Sequence, residues 1–304
     1  MVSSLLAVVG LAIVAVAPAR AANLTTLVTF CMLPNCADGS GPEASLIADA
    51  NGNLFGTTDA GGEHDEGTLF EIVKTARSYA STPTTLVSFC PFAGNSNCAD
   101  GTGPLAGLIA DAKGNLFGTT SGGGANRLYG TMFEIVKTAR GYASTPTTLV
   151  SFNRANGSDP VAGLIADAKG NLFGTTNEGG SNNGGTVFEL VKTAGGYAST
   201  PTTLVSFEGA NGSYPAAGLI ADANGNLFGT TVFTVPNTVS GTVFEVGGSG
   251  FAVFAGTPGK PNCFGKSVSA LARQYGGLNA AAEALGYPSV RALQKGYFGI
   301  LRAG

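Results

Sequence analysis

The sequence contains little histidine and little charge. Its only histidine, His64, has no companion residue at a fixed spacing, which excludes a recognisable Ser–His–Asp or Cys–His catalytic arrangement. Neither a P-loop nor a dinucleotide-binding fingerprint is present. Charged residues make up 12% of the 304, below the usual share of about a quarter. With 44% hydrophobic residues and 47 glycines, the composition predicts an all-β fold of short strands and frequent tight turns.

Long apolar runs are also scarce, and the one that is present lies near the N-terminus. Residues 5–17 are apolar and are followed by Ala19-Arg20-Ala21, the small-residue pattern of a signal-peptide cleavage site. We predict a signal peptide over residues 1–21, cleaved after Ala21 or Ala22, with a retained anchor as the alternative. The protein is expected to be secreted or on the cell surface, or periplasmic, with no membrane span after cleavage.

The net charge of −3 is unevenly distributed along the chain. Residues 247–304 carry six basic side chains and one acid, whereas the preceding region, without Arg20, has a net charge of −9. This difference predicts two parts, a repeat domain over residues 22–256 and a small basic module over residues 257–304.

The basic module is predicted to be α-helical. Apolar residues recur with helical spacing over residues 267–275, and Asn279 and Ser289 are suited to cap two further short helices. The first two predicted helices superficially resemble a helix-turn-helix, but export argues against nucleic acid as a partner. We expect the module to pack on the repeat domain or to contact an anionic envelope polymer.

A stretch of 13 residues dominates the chain and occurs four times. In the third copy it is Leu-Ile-Ala-Asp-Ala-Lys-Gly-Asn-Leu-Phe-Gly-Thr-Thr, starting at Leu164, and its aspartate recurs at spacings of 62, 56 and 55 residues. Each copy is followed by Gly-Thr-x-Phe-Glu, and the first three also by Thr-Thr-Leu-Val-Ser-Phe. In the third copy we predict strands over residues 163–166, 171–176, 185–192 and 203–207. The Asn-Gly turns predict two-residue hairpins with positive φ at both central positions.

Four antiparallel strands in about 55 residues are the content of one β-propeller blade. The sequence predicts a β-propeller-like array of four four-stranded blades, with repeats at about 43–89, 105–152, 161–207 and 216–254. An extra strand is expected over residues 24–30, and a degenerate fourth strand over residues 251–254. The extra strand would close the blades into a ring, and the alternatives are an open arc or part of a larger ring.

The motif Asp-Ala-x-Gly-Asn-Leu-Phe-Gly-Thr-Thr, followed by Gly-Gly and Gly-Thr-x-Phe-Glu, resembles the GloVer tandem repeat of bacterial "choice-of-anchor" surface proteins. The resemblance covers about residues 24–246. It implies a secreted or surface-attached, β-propeller-like protein and implies no catalytic mechanism. The chain departs from that family in its small number of repeats and in its predicted helical tail, which has no evident sorting signal.

The five cysteines predict two local disulfide bonds, Cys31–Cys36 and Cys90–Cys98. Each pair lies in the loop after a Thr-Thr-Leu-Val-(Thr/Ser)-Phe segment, and the two later copies of this loop lack both cysteines together. A metal site would need four ligands converging from adjacent blades. Cys263 is left over, either as a free thiol or bonded to a partner's thiol.

The repeated Asp-x-x-Gly-Asn turn superficially resembles a calcium-binding loop. Its glycine stands at the fourth position rather than the sixth, and Lys113 and Lys169 occupy a middle ligand position in two copies. We therefore predict structural turns, with no metal and no cofactor. The turn residues are Asp49, Gly52, Asn53, Asp111, Gly114, Asn115, Asp167, Gly170, Asn171, Asp222, Gly225 and Asn226.

A glutamate also recurs once per blade, at positions 71, 134, 189 and 245. Two interpretations remain open: four carboxylates around a central channel that bind cations, or a structural role in bonds with neighbouring blades. The segment 63–66, which holds His64, is predicted to be a solvated loop.

The sequence thus predicts a non-catalytic protein with a binding or structural role in the bacterial envelope and a glycan or other envelope polymer as partner. The alternative is an extracellular carbohydrate-active enzyme, a glycosidase or lyase, with paired carboxylates on loops of different blades. No catalytic residue is marked by the sequence.

Overall fold

The computed structural model describes residues 22–90, 98–125, 127–234 and 240–253. The predicted signal peptide, the basic helical module, Cys263 and residue 254 lie outside these ranges. The described residues form 19 strands and one 3₁₀ turn at Pro34–Cys36, which confirms the all-β prediction. None of the helical structure in this part of the chain has the length and apolar composition needed to cross a membrane.

The strands form four antiparallel sheets in chain order, which we call blades 1 to 4. Blade 1 contains β1 (Ile47–Ala48), β2 (Leu54–Thr58), β3 (Thr68–Ile72) and β4 (Thr84–Ser88). Blade 2 contains β5 (Ile109–Ala110), β6 (Leu116–Thr120), β7 (Thr131–Ile135) and β10 (Thr147–Ser151). Blade 3 contains β11 (Ile165–Ala166), β12 (Leu172–Thr176), β13 (Thr186–Leu190) and β16 (Thr202–Ser206). Blade 4 contains β17 (Ile220–Ala221), β18 (Leu227–Thr231) and β19 (Thr242–Val246).

The link between the third and fourth strands, predicted to be a plain loop, contains a small hairpin in two blades. In blade 2 it consists of β8 (Lys137–Thr138) and β9 (Gly141–Tyr142), and in blade 3 of β14 (Lys192–Thr193) and β15 (Gly196–Tyr197). Blade 1 has a single bridge between Lys74 and Tyr79 at the same place. We call these hairpins the arms.

The sequence predicts four four-stranded blades. Blades 1 to 3 each have four strands, but blade 4 has only three in the described residues. Residues 251–253 do not form the expected fourth strand. Instead the Phe251 ring packs 5.0 Å from the Phe173 ring of blade 3, and the Ala252 N–H donates to Asp167 Oδ2 at 3.1 Å. This segment covers blade 3 in the way that an arm covers the preceding blade, and it is therefore not available to pair with β19.

The extra strand predicted over residues 24–30 is also not formed. In blades 1 to 3 the fourth strand pairs with the third strand of its own blade. Residues 24–30 lie before blade 1, and no strand among the described residues pairs with them. Phe30 nevertheless packs on Phe70, with ring centroids 4.7 Å apart, so the segment stays on blade 1.

The turn between the first two strands differs from the expected two-residue hairpin. The Gly52 N–H donates to the Asp49 carbonyl, and only the glycine of the Asn-Gly pair has positive φ, at 84°. This pattern is a type I turn followed by a left-handed residue. Because the position before the glycine is right-handed, lysine fits there as well as asparagine, as at Lys113 and Lys169.

Each inner blade buries both of its faces against its neighbours. Along β6 every residue is buried, yet Leu116 packs into a cluster with blade 1 whereas Phe117 packs into a cluster with blade 3. Successive side chains of a strand point to opposite faces, so a strand between two sheets is buried along its whole length. Its polar residues, Thr119 and Thr120, donate hydrogen bonds to the Pro160 and Gly122 carbonyls. Core clusters of this kind join blades 1 and 2, 2 and 3, and 3 and 4.

A phenylalanine that follows each fourth strand locks one blade to the next. Phe89 packs on Phe133, Phe152 on Phe188 and Phe207 on Phe244, with ring centroids 5.0 to 5.3 Å apart. The third-strand phenylalanine of each of these pairs also lies against a glycine on the second strand of its own blade, where a larger residue would not fit. A Cβ atom on Gly118, for example, would lie 2.6 Å from the Phe133 ring.

The strand directions give the array two different ends. The end formed by the turns between the first two strands and by the arms we call the hairpin end. The opposite end, formed by the second-to-third-strand loops and the links between blades, we call the loop end.

We expect Phe152→Ala to lower the free energy of unfolding by roughly 3–5 kcal/mol, because it empties a fully buried site between blades 2 and 3. Phe30→Ala should cost clearly less, since Phe30 is only half-buried against blade 1. Urea denaturation of both variants measures the difference. Equal losses would contradict a lock of this kind between consecutive blades.

Candidate functional site

At the hairpin end, each repeated aspartate organises its own turn. Asp111 Oδ1 accepts hydrogen bonds from the Lys113 and Asn115 backbone N–H groups, both at 2.9 Å, and Asp111 Oδ2 accepts from Asn115 Nδ2 at 3.2 Å. Asp49, Asp167 and Asp222 accept the same backbone bonds in their turns. These contacts are those of an Asx turn, and they occupy the oxygens that a cation would need.

The asparagine of the turn connects three parts of the blade. Asn115 Nδ2 donates to Glu134 Oε1 on β7 at 2.9 Å, and Asn115 Oδ1 accepts from the Lys137 N–H at the start of the arm. Asn171 makes the same contacts with Glu189 and Lys192 in blade 3. The recurring glutamate therefore accepts from an asparagine of its own blade. One of the two interpretations of this glutamate in the sequence predicts bonds with neighbouring blades instead.

The arm of each inner blade covers the turn of the preceding blade. Lys137 Nζ lies 3.9 Å from Asp49 Oδ2, and the Tyr142 ring packs edge-on against Phe55 at 5.2 Å. Burial, followed by the charges of Asp49 and Glu71, raises the pKa of Tyr142 to about 12. The lysine supplies positive charge beside the carboxylates, which opposes the binding of a cation there.

The glutamates of these clusters have raised pKa values. For Glu134 the main cause is burial, the second is the charge of Asp111, and Lys192 of the next blade partly offsets both. Burial and a neighbouring aspartate raise the pKa of Glu71 and Glu189 in the same way. A carboxyl pair with one raised pKa can serve acid–base chemistry, but structural networks produce the same shift.

At the loop end, the two predicted disulfide bonds, Cys31–Cys36 and Cys90–Cys98, are formed. Each is supported by an aspartate of the Cys-Ala-Asp-Gly motif. Asp38, which is 4% exposed, accepts from the Met32 and Leu33 N–H groups, and Asp100 accepts from the Cys90 N–H. Burial raises the pKa of Asp100. The motif's recurrence was the available signal for these two aspartates, which the sequence-based candidates did not include.

One group of potential metal ligands lies beside the second disulfide. Ligand atoms of Glu66, Cys90 and Cys98 lie within 4.8 Å of one another. The two sulfurs are bonded to each other, however, and metal binding by cysteine requires the thiolate. Nearby in the chain, the ring of His64 is half-buried and its Nε2 is buried without a hydrogen-bond partner, so this loop is less solvated than predicted.

In blade 3 an arginine takes the backbone position that a cysteine holds in blades 1 and 2. The Cys36 and Cys98 carbonyls accept from Gly62 and Gly124, and the Arg154 carbonyl accepts from Gly180 at 2.7 Å in the same way. The Arg154 side chain extends along the neighbouring loop, where its Nε donates to Asn183 Oδ1 at 3.1 Å.

These two loops border a cleft of about 450 Å³ that we call the amide cleft. Reciprocal bonds between Asn153 and Asn156, in which each backbone N–H donates to the other's side-chain oxygen at 3.0 Å, hold one wall. The Ser181 N–H donates to Ser206 Oγ and holds the other. The cleft is lined by Asn153, Arg154, Ala155, Gly180, Ser181, Asn182 and Asn183.

A family model described as the Gloeobacter/Verrucomicrobia repeat matches residues 92–276, more than half of the chain. This match confirms the resemblance of the repeated motif. No match was found among curated proteins.

Several solved structures share part of the fold at low identity. A luciferin-regenerating enzyme is 18% identical, with 70% of this chain and 63% of that chain covered and a TM-score of 0.41. A protein of unknown function from Dyadobacter fermentans is 13% identical over 68% and 65% of the two chains, with a TM-score of 0.43. An α-L-arabinofuranosidase from Podospora anserina is 12% identical over 77% and 73%, with a TM-score of 0.40. This chain thus spans less than two thirds of the length of the luciferin-regenerating enzyme and of the Dyadobacter fermentans protein. These similarities carry no argument about activity.

We expect Glu134→Gln to raise the free energy of unfolding at pH 7. The folded-state pKa of Glu134 is above its ordinary value of 4.5, so the wild-type protein loses stability as the pH rises through that interval. Glutamine keeps an oxygen for Asn115 without the charge. The advantage should disappear below about pH 4, where the glutamate is protonated in both states.

Urea denaturation between pH 3 and pH 8 tests this expectation, with Glu63→Gln at an exposed loop position as the matched control. A lower stability of Glu134→Gln at pH 7 would mean that the carboxylate has a net stabilising role at this site.

Replacing Cys31 and Cys36 together by serine should lower the free energy of unfolding by about 2 kcal/mol, because the bond closes a loop of five residues in the unfolded chain. Denaturation with and without a reductant measures this loss. A reductant opens both disulfide bonds of the wild-type protein but only Cys90–Cys98 in the variant. If the Cys31–Cys36 bond causes the loss, the two proteins should therefore have the same free energy of unfolding in the presence of the reductant.

Proposed function

Because this chain belongs to the Gloeobacter/Verrucomicrobia repeat family, we propose that it is an exported, non-catalytic protein that binds a hydroxyl-rich polymer, such as an envelope glycan. The observation that carries the proposal is the amide cleft at the loop end of blade 3. Family membership supports a repeat protein with a β-propeller-like scaffold. The polymer and the binding role are inferred from the chemistry of the cleft.

The cleft offers the groups that recognise sugar hydroxyls. Its lining combines the guanidinium of Arg154, the hydroxyl of Ser181 and several side-chain amides, and it contains no carboxylate. Amides can donate and accept at once, as sugar hydroxyls do, and the guanidinium only donates. The net positive charge also suits a polymer that carries carboxylates or other anionic groups.

The position of the cleft supports a role in recognition. The hairpin-end clusters are nearly identical in successive blades, as expected of contacts that every blade needs in order to pack. The amide cleft lies where the copies differ, since Arg154 stands in the place of the Cys36 and Cys98 residues of blades 1 and 2. Variable loops on a repeated scaffold are the usual location of binding residues.

The two disulfide bonds support export. Disulfides persist in oxidising compartments such as the periplasm, the cell surface and the extracellular medium. The apolar run over residues 5–17, followed by the small-residue pattern, agrees with such a destination.

The alternative, a carbohydrate-active enzyme, needs a pair of carboxylates on loops of different blades, but the carboxylates that adjoin at the hairpin end, Asp49 and Glu71 and their equivalents, belong to one blade each. The same pair, with the same asparagine bonds, recurs in blades 2 and 3. A catalytic pair is needed once, whereas a packing element is needed in each blade. This recurrence supports the non-catalytic proposal.

A glycan array with purified protein tests the proposal. We expect binding to hydroxyl-rich polysaccharides, and we expect Arg154→Ala to weaken it roughly tenfold, as the loss of a hydrogen bond to a charged group implies. Arg140→Ala removes the same charge at the exposed arm of blade 2 and should leave binding unchanged.

Reducing-sugar release is measured alongside binding. Turnover that a single change such as Glu134→Gln abolishes would overturn the non-catalytic proposal in favour of the enzyme. Binding that Arg154→Ala and Arg140→Ala weaken equally would overturn the assignment to the amide cleft.

A further inference from the structure

The last strand of the array has an unpaired edge. β19 pairs with β18 on one side, and in the described part of the chain no strand lies on its other side. In blades 1 to 3 that side of the third strand is occupied by a fourth strand, β4, β10 or β16. Unpaired backbone N–H and C=O groups along a strand edge are a template for another strand.

The outer side of blade 4, which carries β19, exposes an apolar face. Val243 on β19 is 81% exposed, whereas its equivalents Leu69, Met132 and Val187 are fully buried. Ile220 on β17 is 70% exposed, and Phe228 is half-buried where Phe173 is fully buried. These side chains point to the face that in blades 1 to 3 is covered by the following blade.

Blade 1, at the other side of the stack from blade 4, carries the complementary segment. Residues 24–30 read Leu-Thr-Thr-Leu-Val-Thr-Phe, which matches the Thr-Thr-Leu-Val-Ser-Phe of the three fourth strands. Phe30 packs on Phe70 as Phe89 packs on Phe133, so the segment already lies on blade 1 as a fourth strand lies on the blade that follows it. Val28 remains half-buried, whereas its equivalents Val87 and Val150 are 1% and 2% exposed.

A groove runs beside this segment and leaves its backbone accessible. The groove has a volume of about 720 Å³ and is lined by residues 26–29, 32, 33, 38 and 81–83. Leu46, at the edge of blade 1, is 48% exposed, although its equivalents Leu108 and Leu164 are buried. Blade 1 thus presents a segment with the sequence of a fourth strand, not yet paired to a third strand, together with an uncovered apolar rim.

The polar contacts of the two ends are complementary as well. Between blades, the arm lysine approaches the aspartate of the preceding turn, as Lys137 approaches Asp49. In blade 1 the equivalent Lys74 lies over its own Tyr79 ring, at 4.0 Å, and among the described residues no turn of another blade faces it. The turn of blade 4 supplies the matching acceptor, Asp222, beside the half-buried Phe228.

We propose that the exposed face of blade 4 binds residues 24–30 of a second copy of this chain, and that the contact repeats the one between consecutive blades. The register of blade 1, in which Leu69 lies opposite Val87, places Val243 of one copy opposite Val28 of the other. Within the described residues the four blades do not close on themselves, since the outer faces of blades 1 and 4 are both exposed. Such a head-to-tail contact closes into a ring if the rotation allows it. Two copies make a ring of eight blades, within the range of about four to eight that propellers contain.

Sedimentation of the full chain at micromolar concentration is the first test. We expect about twice the mass of a single chain. Val243→Asp should reduce it to the mass of one chain without changing the circular dichroism, because this side chain is exposed in the monomer. Leu128→Asp, at an exposed apolar position of blade 2 away from the outer faces of blades 1 and 4, is the matched control and should leave the dimer intact. A wild-type protein with the mass of one chain overturns the proposal.

Cysteine cross-linking tests the register and identifies the occupant. In a Cys263→Ser background, chains with Val28→Cys are mixed with chains with Val243→Cys under mild oxidation. Paired residues of antiparallel strands have Cα atoms about 4.5–5.5 Å apart, within reach of a disulfide bond. We expect a covalent dimer, and none from Val28→Cys mixed with Leu128→Cys.

A chain that carries both Val28→Cys and Val243→Cys separates the two modes of closure. Covalent dimers support the proposal. A cross-linked product of single-chain size would show that one chain closes its own ring and would overturn it. The absence of any cross-link, in the mixture or in the double variant, would mean that another part of the chain covers β19, and this result also contradicts the proposal.

Discussion

The structure depends on the burial of each sheet between two others. An inner blade places Leu116 and its neighbours against the preceding blade and Phe117 against the following one, so both faces are buried and a polar side chain there, such as Thr119, is hydrogen-bonded. The phenylalanine after each fourth strand packs on a third-strand phenylalanine of the next blade, and a strand glycine makes room for that second ring, as Gly118 does for Phe133. A one-dimensional stack of this kind always has two terminal faces that it cannot cover itself, and Val243 and Leu46 lie on those faces.

The polar residues that recur in every copy join the blades together at the hairpin end. Aspartate shapes the turn, asparagine connects the turn to the glutamate and to the arm, and lysine and tyrosine of the arm reach the preceding blade. Burial raises the pKa of Glu71, Glu134 and Glu189, and Glu134 and Glu189 each accept a hydrogen bond from the asparagine of their own turn. The copies differ at the loop end, where Arg154 replaces a cysteine and borders the amide cleft.

The two proposals are independent but geometrically compatible. A two-fold axis through a ring of two copies keeps both loop ends on the same side, so two amide clefts would face the same direction. Two weak sites on one rigid body bind a repeating polymer more tightly than either site alone, because the second contact forms at a high effective concentration. Low affinity in each cleft would then suffice for retention on an extended polymer.

The sequence by itself determined the all-β class, the repeat and the two disulfides, because strand periodicity, Gly-rich turns and the paired loss of cysteines are local signals. The strands that it predicted wrongly are those whose formation depends on partners distant in the chain. Residues 24–30 and 251–253 have strand-like sequences, but a strand needs a neighbour to accept its hydrogen bonds, and only the tertiary structure shows that the first has none and that the second covers blade 3. The asparagine–glutamate bonds and the amide cleft also join residues 18 or more positions apart, which no local pattern specifies.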